Sequence, residues 1–357
     1  MSDAGELAAW IDLSLVPGIG NQSFRSLLSA FGLPTQVLAA TRSQLSRVVP
    51  QPLAEGILDR GRGPLVEKAL EWATRPRHYV LTLADSRYPK QLLQIPDPPA
   101  VLYVVGEVGL LSSPALAVVG SRNATPQGVE NARGFAHALS DAGFTVVSGL
   151  ALGVDSAAHA GGLQGRGSTI AVLGTGIDIV YPRRNEKLAN EISLRGALVS
   201  EFPLGTPPKA PNFPRRNRLI SGLARGCLVV EAAIDSGSLI TARLAAEQGR
   251  DVFSIPGSIH SPLAKGCHAL IKQGAKLVES ARDVLEEFGL AVEAFDRSPK
   301  FAEGHLLLEK MGFDSCDIDS LISRTGLTAE VVSAMLLELE LDGKIAPLPG
   351  GLYQRIL

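Results

Sequence analysis

Apolar positions recur every three or four residues from the start of the chain to about residue 75. Breakers at Pro17-Gly18, Gly32-Leu33-Pro34 and Pro50-Gln51-Pro52 divide this stretch, so it predicts several short helices. From residue 110 to 290 the pattern changes. Short runs rich in Val, Ile and Ala alternate with Gly-rich turns that lead into helical periodicity, which predicts a parallel sheet with crossover helices. Strands are expected at residues 115–120, 144–149, 169–174, 197–202, 227–232 and 251–255, with a short last one near 276–278. Their near-continuous hydrophobicity suits strands covered on both faces. Residues 291–300 are charged and poor in apolar side chains, as a linker is. Residues 301–357 then read as helix, helix, turn, helix and a hairpin around Pro349-Gly350-Gly351, the order of a winged helix. The expected organisation is a helical domain (1–75), a connecting segment (76–109), an α/β domain (110–290), a linker (291–300) and a winged helix (301–357).

Composition narrows the class. Of 357 residues, 45% are hydrophobic and 20% charged, an ordinary soluble globular balance able to bury more than one core. The formal charge of −2 removes any argument from bulk basicity, so binding of a polyanion must rest on a local cluster. Cys227, Cys267 and Cys316 lie far apart and read as reduced thiols. Asp3 and Glu6 stand where a secretory signal carries basic residues, and no uncharged apolar stretch reaches the ~18 residues of a membrane span. A cytoplasmic protein with no membrane partner is expected.

Ligands bind beyond the carboxyl ends of the strands in such a sheet. The segments beginning Gly120-Ser121-Arg122, Gly149-Leu150, Gly174-Thr175-Gly176 and Pro256-Gly257 all open onto that edge. The first strand lacks the three glycines of a dinucleotide fingerprint, and no Walker-type phosphate loop occurs. Arg122 presents a guanidinium at a strand end just before a helix, which suits a phosphate; a surface salt bridge is its plainer role. The strongest constellation is Lys209-Ala210-Pro211-Asn212-Phe213-Pro214-Arg215-Arg216-Asn217-Arg218, within a window, 202–230, that holds five basic residues and no acidic one. Phe213, between two prolines and beside guanidinium groups, suits stacking of a base along a phosphate-bound strand; alternatively it plugs the core while Arg215 to Arg218 cover a helix start. Lys265 lies in a second acid-free window, 252–278, and Arg183 follows Tyr181-Pro182 on the same edge. Ser236-Gly237-Ser238 precedes a predicted helix, as an anion-binding corner or a simple N-cap. Asp155 and His159, four apart on a predicted helix, lack a third metal ligand and read as packed or capping groups. No metal, cofactor or catalytic function is expected. Leu15-Val16-Pro17-Gly18-Ile19-Gly20 resembles the hairpin of helix-hairpin-helix modules, or is a structural turn between packed helices.

In chain order, several motifs resemble the DNA processing protein A family (DprA, also called Smf). They are Val119-Gly120-Ser121-Arg122; Ser148-Gly149-Leu150-Ala151-Leu152-Gly153-Val154-Asp155 with Ala158-His159; Leu173-Gly174-Thr175-Gly176 leading to Tyr181-Pro182; Phe213-Pro214-Arg215-Arg216-Asn217-Arg218-Leu219-Ile220-Ser221-Gly222; and Glu231-Ala232 followed by Ser236-Gly237-Ser238-Leu239-Ile240-Thr241-Ala242. The resemblance implies an extended Rossmann-like, doubly wound, mostly parallel sheet. It also implies a small N-terminal domain of SAM or helix-hairpin-helix type, a winged helix and a homodimer. The implied role is non-enzymatic: binding and protecting single-stranded DNA in natural transformation (competence) and loading RecA onto it for recombination. Arg122, Arg183 and the 209–218 stretch match the family's DNA-contact positions. Phosphates are thus expected along Gly120, Ser121, Arg122, Arg183, Lys209, Arg215, Arg216, Arg218 and Lys265, with Asn217, Ser236 and Ser238 beside them and Phe213 stacking a base.

The main alternative is a nucleotide-processing enzyme of the lysine-decarboxylase-like (phosphoribohydrolase) type on the same fold. Such an enzyme would carry a Pro-Gly-Gly-x-Gly-Thr loop, of which Pro256-Gly257-Ser258 is a truncated counterpart. A winged-helix transcription regulator is a third reading. Residues 301–357, however, hold four basic against nine acidic residues, and 328–342 carries Glu330, Glu338, Glu340 and Asp342 with no basic residue. Such a helix repels phosphates, so this domain is expected to contact protein or to regulate.

Overall fold

The computed structural model describes residues 4–290 and 306–356; the expected linker and the first residues of the winged helix lie outside them. Six short helices come first: α1 (Ala4–Ser14), α2 (Asn21–Phe31), α3 (Pro34–Ala39), α4 (Arg42–Leu45), α5 (Gln51–Leu58) and α6 (Gly63–Ala73). Their apolar faces close around Trp10 and Phe24, whose rings stack 5.5 Å apart. This layer shares its core with the sheet. Trp72 of α6 meets Tyr103 edge-on at 5.7 Å, and the same cluster runs on into Leu173, Ile192 and Leu198. The turn before α2 serves packing: Asn21 Nδ2 donates to Asp97 Oδ2 at 3.1 Å, and Arg25 Nη2 donates to the Pro96 carbonyl at 2.9 Å.

The segment expected only to connect contributes two strands, β1 (His78–Thr82) and β2 (Val101–Gly106), which pair antiparallel with each other. The α/β succession then runs β3 (Ala115–Val119), α7 (Pro126–Asp141), β4 (Thr145–Ser148), α8 (Val154–Gly162), β5 (Thr169–Val172), α9 (Glu186–Arg195) and β6 (Ala197–Ser200). It continues with α10 (Asn212–Leu223), β7 (Gly226–Val229), α11 (Ser238–Glu247), β8 (Asp251–Ser254), α12 (Lys265–Lys272), β9 (Lys276–Leu277) and α13 (Ala281–Glu287). The nine strands form one sheet in the order β1-β2-β6-β5-β4-β3-β7-β8-β9, parallel from β6 to β9 and antiparallel where β2 joins β6.

Alternation along β3 divides the core. Ala115, Ala117 and Val119 face α10 and α11, while Leu116 and Val118 face α7, α8 and α13. Strand β3 is also where the winding reverses, with β4 on one side and β7 on the other. The crevice at such a reversal is open because the flanking crossovers leave on opposite faces, and Gly120-Ser121-Arg122 occupies it.

The C-terminal domain is a winged helix: α14 (Leu306–Met311), β10 (Cys316–Asp317), α15 (Ile318–Thr325), α16 (Ala329–Leu341), β11 (Ile345–Leu348) and β12 (Leu352–Arg355). Gly326 takes the left-handed conformation (φ 71°) that ends α15 and lets α16 turn away.

Candidate nucleic-acid interface

The floor of the crevice is the loop after β4. Leu150 is fully buried with a left-handed backbone (φ 57°), a conformation that costs a branched residue about 1–3 kcal/mol and persists only where neighbours hold it. Two side chains do so. The Leu150 N–H donates to His159 Nε2 at 3.3 Å, and Asn185 Nδ2 donates to the Leu150 carbonyl at 2.8 Å. His159 Nδ1 lies 2.7 Å from Thr169 Oγ1, which itself donates to the Val146 carbonyl. The ring is therefore the neutral Nδ1–H tautomer, and burial holds its pKa down at about 3, with the Arg216 charge adding to the effect. Asp155 accepts from the Gly149 and Ala151 N–H groups at 3.1 and 3.3 Å. Burial pushes its carboxyl up, opposed by Arg216 and those N–H donors. Asp155 and His159 thus organise backbone.

Arg216 completes the floor. It is 5% exposed, and Nη1 donates to the Gly149 carbonyl at 2.7 Å and also to the Val172 carbonyl, so one guanidinium ties the ends of β4 and β5 to α10. Burial lowers its pKa only to about 10, Asp155 opposing, so it stays charged at neutral pH. A Cβ at Gly149 would stand 2.5 Å from Arg216 Nη2, so any larger residue there must displace the guanidinium.

Above this floor is a cleft of about 790 Å³ lined by Gly120, Ser121, Arg122, Tyr181, Phe213, Arg216, Asn217, Ser236 and Ser238, among others. Phe213 rests on Gly174, where a Cβ would come within 2.7 Å of the ring, and it remains partly open to the cleft. The Arg122 guanidinium lies over the Phe213 ring, 5.9 Å from its centroid, and the exposed Tyr181 ring sits 5.6 Å away at 41°. Ser236 and Ser238 share a hydrogen bond of 2.7 Å at the start of α11, and Asn217 Nδ2 reaches the Gly237 carbonyl. Glu231, accepting from Thr125 N and Oγ1 at 2.9 and 2.6 Å, fixes the start of α7 behind Arg122.

The cations separate into two groups. Arg122, Arg183 and Lys209 are exposed and, among the described residues, have no ion pair. Lys209 stands between Pro208 and Ala210, which line the cleft, and Arg183 follows shortly after Tyr181, which also lines it. The others are engaged by protein and are not brought to the cleft wall as free charges. Arg218, 8% exposed, pairs with Glu201 and lies 3.3 Å from Asp97. Arg215 meets the same Glu201 at 3.1 Å and lies over the Phe202 ring. Lys265 donates to the Ile259 carbonyl. Of the four basic residues between 209 and 218, only Lys209 is left without an acidic or backbone partner, because α10 turns Arg215 and Arg218 toward Glu201 and Arg216 into the floor.

Tyr181 lines the cleft and Glu231 braces the start of α7 beside it, and the sequence reading assigned a contact role to neither. An aromatic just before Pro182, at the same edge as Phe213, was the available signal for the first. Among the described residues, no helix is long and apolar enough to cross a membrane.

Comparison with known proteins agrees with this architecture. The model of the DNA recombination-mediator protein A family matches residues 79–289, and that of the DprA winged helix domain matches 297–351. Protein Smf of Escherichia coli (strain K12) is 47% identical over 303 residues, covering 82% of this chain and 81% of that protein. The DNA processing protein DprA of Streptococcus pneumoniae is 48% identical over 207 residues, 58% of this chain and 73% of that one. The X-ray structure of DprA from Streptococcus pneumoniae superposes with a TM-score of 0.70 at 38% identity, over 80% of this chain and 99% of that one. DNA processing protein A from Helicobacter pylori, solved for its single-stranded DNA binding mode, gives a TM-score of 0.54 at 31% identity over 58% of this chain and 95% of that one. With one family model spanning more than half of the chain and a second its winged helix, this chain belongs to the DprA/Smf family of DNA-processing proteins.

Proposed function

We propose that the cleft beside Phe213 binds single-stranded DNA, with phosphates on Arg122, Lys209 and Arg183 and a base stacked on Phe213 and Tyr181. The observation that carries this reading is the Arg122 guanidinium held over the Phe213 ring with no acidic partner among the described residues. A cation free of carboxylates beside a partly open ring meets the two needs of a flexible strand, charge for its backbone and a flat surface for its bases. Gly120, Ser121, Asn217, Ser236 and Ser238 supply neutral donors beside them. In this reading Arg216 shapes the floor, while Arg215, Arg218 and Lys265 support the frame instead of touching phosphate.

The protein protects the strand and loads RecA onto it during transformation and recombination in the cytoplasm, acting as a binding protein and not as an enzyme; the family likeness supports these steps. A homodimer is part of the proposal. The sheet ends at the two-residue β9 with Leu277 exposed, beside a groove of about 470 Å³ between α11 and α12, an unpaired edge suited to a second copy. Light scattering that returns the mass of one chain at micromolar concentration contradicts the dimer. Gel shifts with single- and double-stranded DNA test the main reading: the single strand should be retained at lower protein concentration. Release of free base from nucleoside monophosphates, with no DNA shift, returns the fold to the enzymatic alternative.

A further inference from the structure

Helix α16 buries Val332, Leu336 and Leu339 in the core of the winged helix. Its opposite side is not polar. At about 100° per residue, Ala334, Leu337 and Leu341 fall on one line facing directly away from that core. All three are exposed, Leu337 to 59% and Leu341 to 81%, with Val331 open at the margin. A helix apolar on both sides is normally covered on both, and adjoining exposed leucines mark a contact surface.

Carboxylates frame the stripe. Glu330 stands at its head, Glu338 on one flank, Glu340 on the other and Asp342 just past its end, all exposed. Three of these four crowd the last turn, where free backbone carbonyls already concentrate negative charge. Lys344 pairs with Asp342 at 2.9 Å, but among the described residues Glu338 and Glu340 have no ion pair. Arg324 is turned to the Lys310 and Met311 carbonyls, and Arg355 is buried over the Phe313 ring. The missing counter-charge therefore belongs to whatever covers the stripe.

We infer that this face of α16 docks a basic amphipathic helix of a partner protein. Its apolar side chains, spaced three and four apart, seat on Ala334, Leu337 and Leu341, and its Lys or Arg side chains meet Glu330, Glu338 and Glu340. A second copy of α16 brings the same carboxylates and is repelled, as is a nucleic-acid strand.

The test uses the full chain and a fluorescein-labelled synthetic helix of about four turns, built of Leu and Lys in amphipathic register, with a Leu/Glu helix as its counterpart. Fluorescence anisotropy should show the parent binding the Lys helix and not the Glu helix. Leu337→Ser with Leu341→Ser should weaken that binding at least about tenfold, and so should Glu338→Lys with Glu340→Lys, which should also transfer preference to the Glu helix. All four positions are exposed, and thermal melts confirm that the fold persists. The inference is overturned if the parent fails to bind the Lys helix, binds both helices alike, or loses nothing in either variant.

Discussion

Arg216 Nη1 donates to the Gly149 carbonyl at 2.7 Å, which joins the start of α10 to the loop after β4 and sets the depth of the cleft. Asp155 and the Val172 carbonyl face the same guanidinium. Replacing Arg216 with Ala leaves a buried carboxyl without its counter-charge and two carbonyls without a donor. A loss of about 2–4 kcal/mol is expected in urea denaturation, the cost of leaving buried carbonyls without their charged donor. A loss below about 1 kcal/mol, typical of an exposed arginine, contradicts the assignment.

Glu201, its side chain 2% exposed, is shared by Arg215 and Arg218, but the two arginines differ in depth, at 49% and 10% side-chain exposure. Arg218→Ala should cost about 2–4 kcal/mol, because Asp97 also loses its contact. Arg215→Ala should cost less than about 1 kcal/mol. Single-strand affinity of the Arg215 variant should stay close to that of the parent. A loss of affinity equal to that of an Arg122 variant puts Arg215 back among the phosphate contacts.

His159 is neutral in the fold, with its pKa held down at about 3, against about 6.5 in the unfolded chain. Its contribution is unchanged above pH 6.5 and becomes unfavourable as pH falls, since the unfolded chain gains a proton that the folded one refuses. Between about pH 6 and 4 this residue should lower stability by up to ~1.4 kcal/mol per pH unit. Denaturation curves across that range, compared with His159→Gln, isolate the effect. Equal slopes in both proteins place the ring's protonation elsewhere.

Phe213 should act through its face. Phe213→Ala should weaken single-strand binding by about 1–3 kcal/mol, the usual loss for one stacking residue, and Phe213→Trp should retain most of it. If Phe213→Leu binds as the parent does, bulk above Gly174 is what matters, and the stacking role is wrong.

Much of the frame was legible because buried parallel strands announce themselves as apolar runs between Gly-rich turns, and seven of the nine lie where those runs do. Strands β1 and β2 escaped because residues 83–100 between them carry no α-helix, so the strand-helix rhythm that locates parallel strands is absent there. The run Val101-Leu102-Tyr103-Val104-Val105 was the visible sign of β2. Arg122 and Phe213, both singled out in the sequence, meet in one cleft, whereas the ion pairs of Arg215 and Arg218 did not follow from charge. The acid-free window begins at Phe202, one residue past Glu201, the carboxylate that takes both arginines. Asp97, the second partner of Arg218, lies far away in sequence and comes near only through the fold. Local charge counts locate a basic segment, but they do not reveal which of its members are already neutralised.

The most direct test is the salt dependence of single-strand binding by the parent and by Arg122→Ala, with thermal melts showing equal stability. Each phosphate contact to a single strand contributes about 0.7 to the slope of log affinity against log salt. The variant should bind more weakly at low salt and show a slope shallower by about that amount. An unchanged slope and affinity would mean that no phosphate sits on Arg122, and the cleft beside Phe213 would not be where the strand runs.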